Sequence, residues 1–331
     1  MRIYVTGGTG YIGLTLCRRL ASEGHEVRAL ARSEERGAAL REAGVATFPG
    51  DVTDRASMRE GMSGADLVVH AAADLDLSGP PERMEAVNVG GSENVASLAS
   101  KLGVPRLLSV SSIAYFGGSP ADGTPGSEEG PVLRPFPTPY SDTKHRGERA
   151  IRAWAERGLG VLTVYPSLVY GPPGKKQGAN SLLRQIWLGR FPALVGADRR
   201  SSWVYLDDLV DGMLRVVERA ETGAAYLLAG EAISVRGLAA KLASLGGAPA
   251  PTREVSVRTA RWVMRLLFPL FRLRGRRPPM PLTQLASLER NWAFDDSKAR
   301  RELDWRARGL DEGLPATIDA LFREAPRPAP G

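Results

Sequence analysis

Short apolar runs alternate with amphipathic segments over the first half of the chain. Five apolar runs have the length of buried strands, and they cover residues 3–6, 26–30, 67–71, 106–111 and 162–166. Between them, apolar positions recur at helical spacing over residues 12–23, 33–43, 55–62, 90–101 and 141–157. This alternation predicts an α/β fold, with a parallel, doubly wound sheet and right-handed crossovers that place helices on both faces.

The pattern loosens from about residue 172. A Pro-Pro-Gly sequence at 172–174 opens a loop, a short helical segment follows at 181–188, and residues 235–324 are mostly helical in pattern. We therefore expect one domain over 1–171 and a smaller, mostly helical substrate-binding region over 172–324, interleaved with the sheet. The Pro-rich residues 325–331 are expected to fray.

Composition is that of an ordinary globular protein. Hydrophobic residues make up 43% of the 331 positions and charged residues 24%, which excludes wholesale disorder. The net charge of +7 comes mainly from arginines spread along the chain, with one cluster at Arg272, Arg274, Arg276 and Arg277. No stacking-aromatic or zinc-finger pattern accompanies them, so we expect a solvated basic surface and no nucleic-acid site.

Cys17 is the only cysteine. It excludes an intramolecular disulfide and a cysteine-based metal site, and its place on the apolar face of the first helix favours a buried thiol. The first residues resemble a strand and loop, not a signal peptide. No apolar run reaches the length of a membrane span, so we expect a cytoplasmic protein. We also expect that it holds no metal.

A glycine-rich loop joins the first strand to the first helix, with the sequence Gly7-Gly8-Thr9-Gly10-Tyr11-Ile12-Gly13. Glycine at 7 permits a tight turn, glycine at 10 lets amides approach a pyrophosphate, and glycine at 13 lets the helix pack on the sheet. The helix N-terminus favours the phosphates. This position predicts a Rossmann-type dinucleotide-binding domain, with Thr9, Tyr11 and Ile12 also at the cofactor.

The ends of the next strands indicate which dinucleotide binds. Where an NAD site usually has an acid, the chain has Ala31 followed by Arg32, and a guanidinium suits the 2′-phosphate of NADP; we expect NADP (NADPH) over NAD. Asp51, followed by Val52, either accepts from the adenine amino group or caps the next helix. After the fourth strand, small side chains let the cofactor lie close to the backbone, at Ala71, Ala72 and Ala73.

Candidate acid–base residues lie at the start of the helix near residue 141. Tyr140 and Lys144 are four apart and share a helical face, so the cation is expected to lower the pKa of the phenol. Ser112 follows the preceding strand at the carboxyl edge of the sheet, where its hydroxyl can donate a hydrogen bond to a substrate carbonyl. With three histidines and no Gly-x-Ser-x-Gly elbow, a serine hydrolase is not indicated.

These motifs together resemble the extended short-chain dehydrogenase/reductases. Besides the motifs described above, the segments that match this family are residues 88–91, residues 166–172 (which include Val169), Asp207-Asp208 and residues 295–303. The resemblance implies that Ser112, Tyr140 and Lys144 are the catalytic residues and that Lys144 also holds the nicotinamide ribose. It further implies that Asn88 orders the site and that Pro166 and Val169 flank the nicotinamide.

Three positions depart from the family pattern. Tyr165 precedes Pro166, at a position where the family often has Arg. Tyr205 occupies a position where His is common in the family. Leu168 replaces an Asn that contacts the substrate in many sugar-nucleotide members, which argues against such a substrate. We expect reduction of a ketone, or oxidation of a secondary alcohol, on a fairly apolar steroid-, β-ketoacid- or flavonoid-like substrate. The alternatives are a sugar-nucleotide epimerase or dehydratase that holds NAD tightly, and a non-catalytic NADP sensor.

The tail resembles that of the 3β-hydroxysteroid dehydrogenase, dihydroflavonol reductase and 2-alkyl-3-oxoalkanoate reductase branch. An apolar stripe at helical spacing is formed by Trp262, Val263, Leu266, Leu267, Leu270 and Phe271. It lines the substrate cleft, packs on the sheet domain, or touches a membrane surface; we favour the cleft. Family members often dimerise through the helix after Tyr140, and apolar Ile151 and Trp154 predict a homodimer unless they are core residues.

Overall fold

A seven-stranded parallel sheet organises the chain. The computed structural model describes residues 1–174, 178–273 and 282–322. Twelve strands lie in this described part: β1 (Arg2–Thr6), β2 (Glu26–Ala31), β3 (Ala46–Pro49), β4 (Leu67–His70), β5 (Arg106–Val110), β6 (Gly160–Pro166), β7 (Leu168–Tyr170), β8 (Leu194–Val195), β9 (Arg200–Tyr205), β10 (Ala225–Leu228), β11 (Glu231–Ser234) and β12 (Glu254–Val255). The main sheet runs in the order β10-β6-β5-β4-β1-β2-β3, and every neighbouring pair is parallel.

Helices cover both faces of this sheet. The helices of the described chain are α1 (Tyr11–Ser22), α2 (Glu34–Arg41), α3 (Arg59–Met62), α4 (Pro81–Glu85), α5 (Gly91–Lys101), α6 (Pro139–Ala155), α7 (Asn180–Trp187), α8 (Leu206–Arg219), α9 (Val235–Ser244), α10 (Val257–Leu273), α11 (Leu282–Ser287), α12 (Ser297–Leu303) and α13 (Leu310–Leu321). Apolar side chains of α1, α8 and α12 form the core on one face, and those of α3, α5 and α6 form the core on the other. The predicted doubly wound α/β fold is confirmed.

The second half of the chain divides its elements between two places. Strands β11, β9 and β7 form a separate small sheet, β12 pairs with β8, and α7, α9 and α13 pack around a core that includes Trp187, Trp203 and Phe322. Strand β10, however, adds to the edge of the main sheet beside β6. The region expected over 172–324 is thus partly built into the sheet, and the Arg cluster at 272–277 is largely outside the described residues.

Several local predictions need correction. Residues 55–62 form a 3-10 turn (Ala56–Met58) followed by one turn of helix, instead of a continuous helix. The chain before α5 forms a π-helical turn (Ala86–Gly90), and Ile113–Phe116 form a 3-10 turn after β5. Ile151 is fully buried in the monomer core, so this residue gives no support for a dimer.

Candidate active site

The glycine loop is shaped by close backbone approaches. Gly7 has a φ of 76°, and a Cβ there would lie 2.5 Å from the backbone of Ala71. A Cβ on Gly13 would lie 2.2 Å from the Gly7 carbonyl oxygen. The close packing of β1, α1 and the end of β4 therefore requires glycine at both positions. At Gly10 a Cβ would approach only the Gly7 carbonyl, at 3.1 Å, which leaves the other side of the loop open.

The helix that follows this loop is suited to an anion. Helix α1 begins after Gly10 with no side-chain cap and no acidic residue in its first turn, so its first amides are available to a ligand. Thr9 and Ile12 are partly buried beside it. The open cradle and uncapped amides fit the pyrophosphate of a dinucleotide.

The side chains expected around the adenosine lie at the ends of neighbouring strands. Ala31 is buried at the end of β2, whereas Arg32 is exposed and its guanidinium has no hydrogen-bond or ion-pair partner among the described residues. Asp51 follows β3, and its Oδ1 accepts from the amide and hydroxyl of Thr53 at 2.9 and 2.8 Å. Val52 is buried. Asp51 therefore holds a local turn and keeps its Oδ2 for another donor.

The segment after β4 also borders the cradle. Ala71, Ala72 and Ala73 are partly buried, and the Ala71 amide donates to the Thr6 carbonyl at 3.0 Å. His70, just before them, is buried between the hydroxyls of Thr6 and Ser92, and desolvation lowers its pKa to about 3. It is a neutral histidine packed in the core.

The start of α6 brings the candidate acid–base residues together. The Thr138 hydroxyl accepts from the Ser141 amide at 3.1 Å and caps the helix, which places Tyr140 in the first turn and Lys144 in the second. Ser112 caps the 3-10 turn after β5 by accepting from the Ala114 amide, and its hydroxyl is near enough to the Tyr140 phenol to lower the pKa of that group. Lys144 Nζ donates to the Val110 carbonyl at 3.0 Å. The three side chains meet at the carboxyl end of β5.

Burial controls the protonation of this group. Desolvation raises the pKa of Tyr140 to about 12, and the hydrogen bond from Ser112 lowers it only in part. The pKa of Tyr140 is therefore raised, against the expectation that Lys144 lowers it, because desolvation of the phenol is the largest influence on this group. Desolvation also lowers the pKa of Lys144 to about 8, and Glu148 opposes that shift.

Glu148 is a buried carboxylate one turn beyond Lys144. Its oxygens accept from Ser109 at 3.2 Å, from Thr163 at 3.1 Å and from Arg152 at 3.2 Å. Arg152 also donates to the Tyr165 hydroxyl at 2.6 Å. Tyr165 stands where the family often has Arg, and its hydroxyl is paired with the guanidinium of Arg152 from α6. The i,i+4 spacing of Glu148 and Arg152 was a visible signal that sequence reasoning missed.

Asn88 joins three segments near the site. Its side-chain amide donates to the Asp74 carbonyl and to the Thr143 hydroxyl, and its Oδ1 accepts from the Asp74 amide. The Asn88 carbonyl accepts from Ser92, which also contacts His70. Asn88 therefore connects the end of β4 with α6 one residue before Lys144.

The other cofactor candidates line the start of the second region. Pro166 ends β6 and Val169 lies in β7, and both are buried, while Leu168 between them is partly exposed. The Tyr11 hydroxyl donates to the Gly171 carbonyl, and the buried Asn180 amide donates to Tyr11 at 3.2 Å. Asn180 also donates to the nearby carbonyls of Gly171 and Gly174, but no sequence signal indicated its bond to Tyr11, which lies 169 residues away.

Fold and site together define an oxidoreductase of the Rossmann class, with an acid–base group beside a dinucleotide cradle. A model of the NAD dependent epimerase/dehydratase family matches residues 3–229. The chain belongs to this family, the extended short-chain dehydrogenase/reductases. It is an enzyme that acts on CH–OH groups with a nicotinamide cofactor.

Similar proteins point to the same branch. The chain is 29% identical over 326 residues to 2-alkyl-3-oxoalkanoate reductase of Stenotrophomonas maltophilia, covering 95% of this chain and 97% of that protein. It is 30% identical over 333 residues to 4-hydroxy-2-methyl-3-oxo-4-farnesyl-3,4-dihydroquinoline-1-oxide ketoreductase of Stigmatella aurantiaca, covering 98% and 97%. The crystal structure of gox2253 is similar with 28% identity and a TM-score of 0.83, covering 98% of each chain.

Proposed function

We propose that the protein is an NADP-dependent reductase of ketones on a fairly apolar substrate, with Ser112, Tyr140 and Lys144 as its catalytic residues. The observation that carries this proposal is the placement of Ser112, after β5, and of Tyr140 and Lys144, at the start of α6, with Lys144 Nζ hydrogen-bonded to the last carbonyl of β5. A phenol with a raised pKa is a proton donor at neutral pH, which is the role that carbonyl reduction requires.

The chain's own residues bind, orient and protonate. The cradle at Gly7–Gly13 would hold the pyrophosphate, and Arg32 the 2′-phosphate. Ser112 would hold the substrate carbonyl oxygen against Tyr140 while the phenol donates its proton to that oxygen. Lys144 would bind the nicotinamide ribose and stabilise the resulting phenolate. When bound, the cofactor supplies the hydride.

The substrate class is proposed from two supports. Leu168 presents an apolar, partly exposed side chain where sugar-nucleotide enzymes of this family often have Asn. Two similar proteins are named as reductases of a 2-alkyl-3-oxoalkanoate and of a farnesylated ketone. Both names describe ketones with apolar substituents, so we propose the same class for this chain.

The test is NADPH consumption with ketosteroids, β-ketoacids and flavonoid ketones, with Tyr140→Phe as control. We expect turnover of at least one apolar ketone, and a loss of about 10²–10⁴-fold in the variant with cofactor binding and melting temperature nearly unchanged. Full activity of Tyr140→Phe on that substrate would contradict the mechanism. Conversion of a nucleotide sugar without added cofactor would favour the epimerase or dehydratase instead.

A further inference from the structure

Helix α10 presents an apolar face to solvent. Its exposed side chains are Trp262 at 67%, Leu266 at 63%, Val263 at 46% and Leu267 at 39% of full accessibility. At 100° per residue these four positions lie on one side of the helix. Packing within the monomer therefore does not account for this part of the predicted stripe, and the side chains of Leu270 and Phe271 lie outside the described residues.

The sequence around this face is rich in arginine. From residue 255 to 288 the sequence has seven arginines and no aspartate or glutamate. Exposed Arg258 and Arg265 follow one edge of the apolar face, while Arg261 turns inward to pair with Glu289 at 2.6 Å. The exposed edge thus has positive charge that no neighbouring acid on α10 offsets.

The opposite side of α10 is fixed to the body of the protein. Val257 is buried near Gly196, and α10 packs on α11. The chain after α11 is held by Arg290, which donates to the carbonyls of Gly117, Leu133 and Pro135. Since Pro135 lies on the loop that enters α6, these bonds tie the segment after α11 to that loop.

We propose that α10 docks on an anionic lipid surface, with the Trp262–Leu267 face in the boundary between headgroups and acyl chains. An amphipathic helix with Trp and Leu on one face and arginines beside it has the composition of an interfacial helix. None of the described helices is long and apolar enough to span a bilayer. The helix therefore lies on the lipid surface.

A second copy of the chain fits this face less well. In a two-fold symmetric contact the same patch meets itself, so Arg258 and Arg265 would face the arginines of the partner without an acid to pair with them. Phosphate headgroups offer the complementary charge. The proposal concerns attachment alone and stands whether or not the substrate proposed above is correct.

The test is co-sedimentation of the full chain with phosphatidylcholine vesicles, with or without an equal part of phosphatidylglycerol. We expect binding to the anionic vesicles only, weaker at high salt because the charges are screened. Trp262 is the most exposed large hydrophobic side chain among the residues whose burial the structure describes, so vesicle addition should shift tryptophan emission to the blue, and Trp262→Phe should remove that shift.

Matched variants separate this face from the rest of the surface. Leu266→Asp should abolish vesicle binding, whereas Leu75→Asp, at an equally exposed leucine of 65%, should not. Arg258→Glu with Arg265→Glu should weaken binding about tenfold or more, and Arg18→Glu on α1 should leave it unchanged. Unaltered melting temperatures confirm that each variant is folded.

Three results would overturn the proposal. One is absent or charge-independent sedimentation. Another is a dimer, seen by light scattering without lipid, that Leu266→Asp dissociates, because a second copy would then cover the face. The third is a higher KM for a water-soluble apolar ketone in Leu266→Asp without vesicles, because the face would then line the substrate cleft.

Discussion

Tyr140 and Lys144 lie one helical turn apart, and burial moves their pKa values in opposite directions. Desolvation disfavours the charged form of each group, so the phenol retains its proton and the ammonium loses its proton more readily. Near neutral pH the pair is therefore a neutral phenol beside a lysine that is still mostly charged. This state suits reduction, whereas oxidation of an alcohol needs the phenolate and is favoured at higher pH.

The negative charge of Glu148 raises the pKa of Lys144. Glu148→Gln removes the one influence that raises the pKa of Lys144, so that pKa should fall below about 8. If the charged lysine is the active form, the basic limb of the kcat/KM profile moves to lower pH. Thr163→Val removes one hydrogen bond to the Glu148 carboxylate but leaves its negative charge. The basic limb of the kcat/KM profile of this variant should therefore stay at the pH of the parent. Identical limbs in both variants and the parent would refute this electrostatic role.

Arg32 should select between the two cofactors. Its exposed guanidinium has no partner among the described residues, so it is available to a 2′-phosphate. Charged hydrogen bonds contribute about 1.5–3 kcal/mol, and Arg32→Ala should therefore weaken NADPH binding by about 10- to 160-fold. NADH binding, measured by the same fluorescence titration, is the internal control and should change little. An equal loss for both cofactors, or an initial preference for NADH, would count against NADP.

At the scale of elements, the site depends on how α6 meets the π-helical turn before α5. Gly147 allows this contact, since a Cβ there would lie 2.2 Å from the Asn88 carbonyl oxygen. The same carbonyl accepts from Ser92, and the Asn88 side chain reaches Thr143 on α6. The spacing between the two helical segments thus determines where Lys144 lies.

Gly147→Ala should disturb this contact. We expect a loss of about 1–3 kcal/mol in the free energy of unfolding, typical of overpacking, with reduced turnover because α6 is displaced. Gly90→Ala is the matched control. Gly90 has helical dihedral angles and open space around its Cβ position, so alanine there should be neutral or stabilise by about 0.4–1 kcal/mol. Denaturant unfolding of both variants measures the difference in the free energy of unfolding. Equal stabilities would show that the close approach of Gly147 to the Asn88 carbonyl does not restrict the side chain at this position.

At the scale of the whole molecule, the first half could be predicted because its signals are local. Strands buried on both faces appear as continuous apolar runs, and the glycine loop is contiguous in sequence. The second half depends on distant pairings. Strand β10 pairs with β6, and Asn180 pairs with Tyr11, yet neither partner is close in sequence. The pKa of Tyr140 could not be predicted either, because it depends on burial that spacing alone does not reveal.

The position of β10 at the edge of the main sheet has a consequence for synthesis on the ribosome. Every residue of β6 is buried in the finished protein, yet its partner on one side is encoded about sixty residues later. At about 5–20 residues per second, translation leaves that apolar edge unpaired for several seconds. An unpaired strand edge invites pairing with another chain. Between the emergence of β6 and that of β10 the nascent polypeptide is thus exposed to aggregation, and a chaperone that covers this edge would protect it.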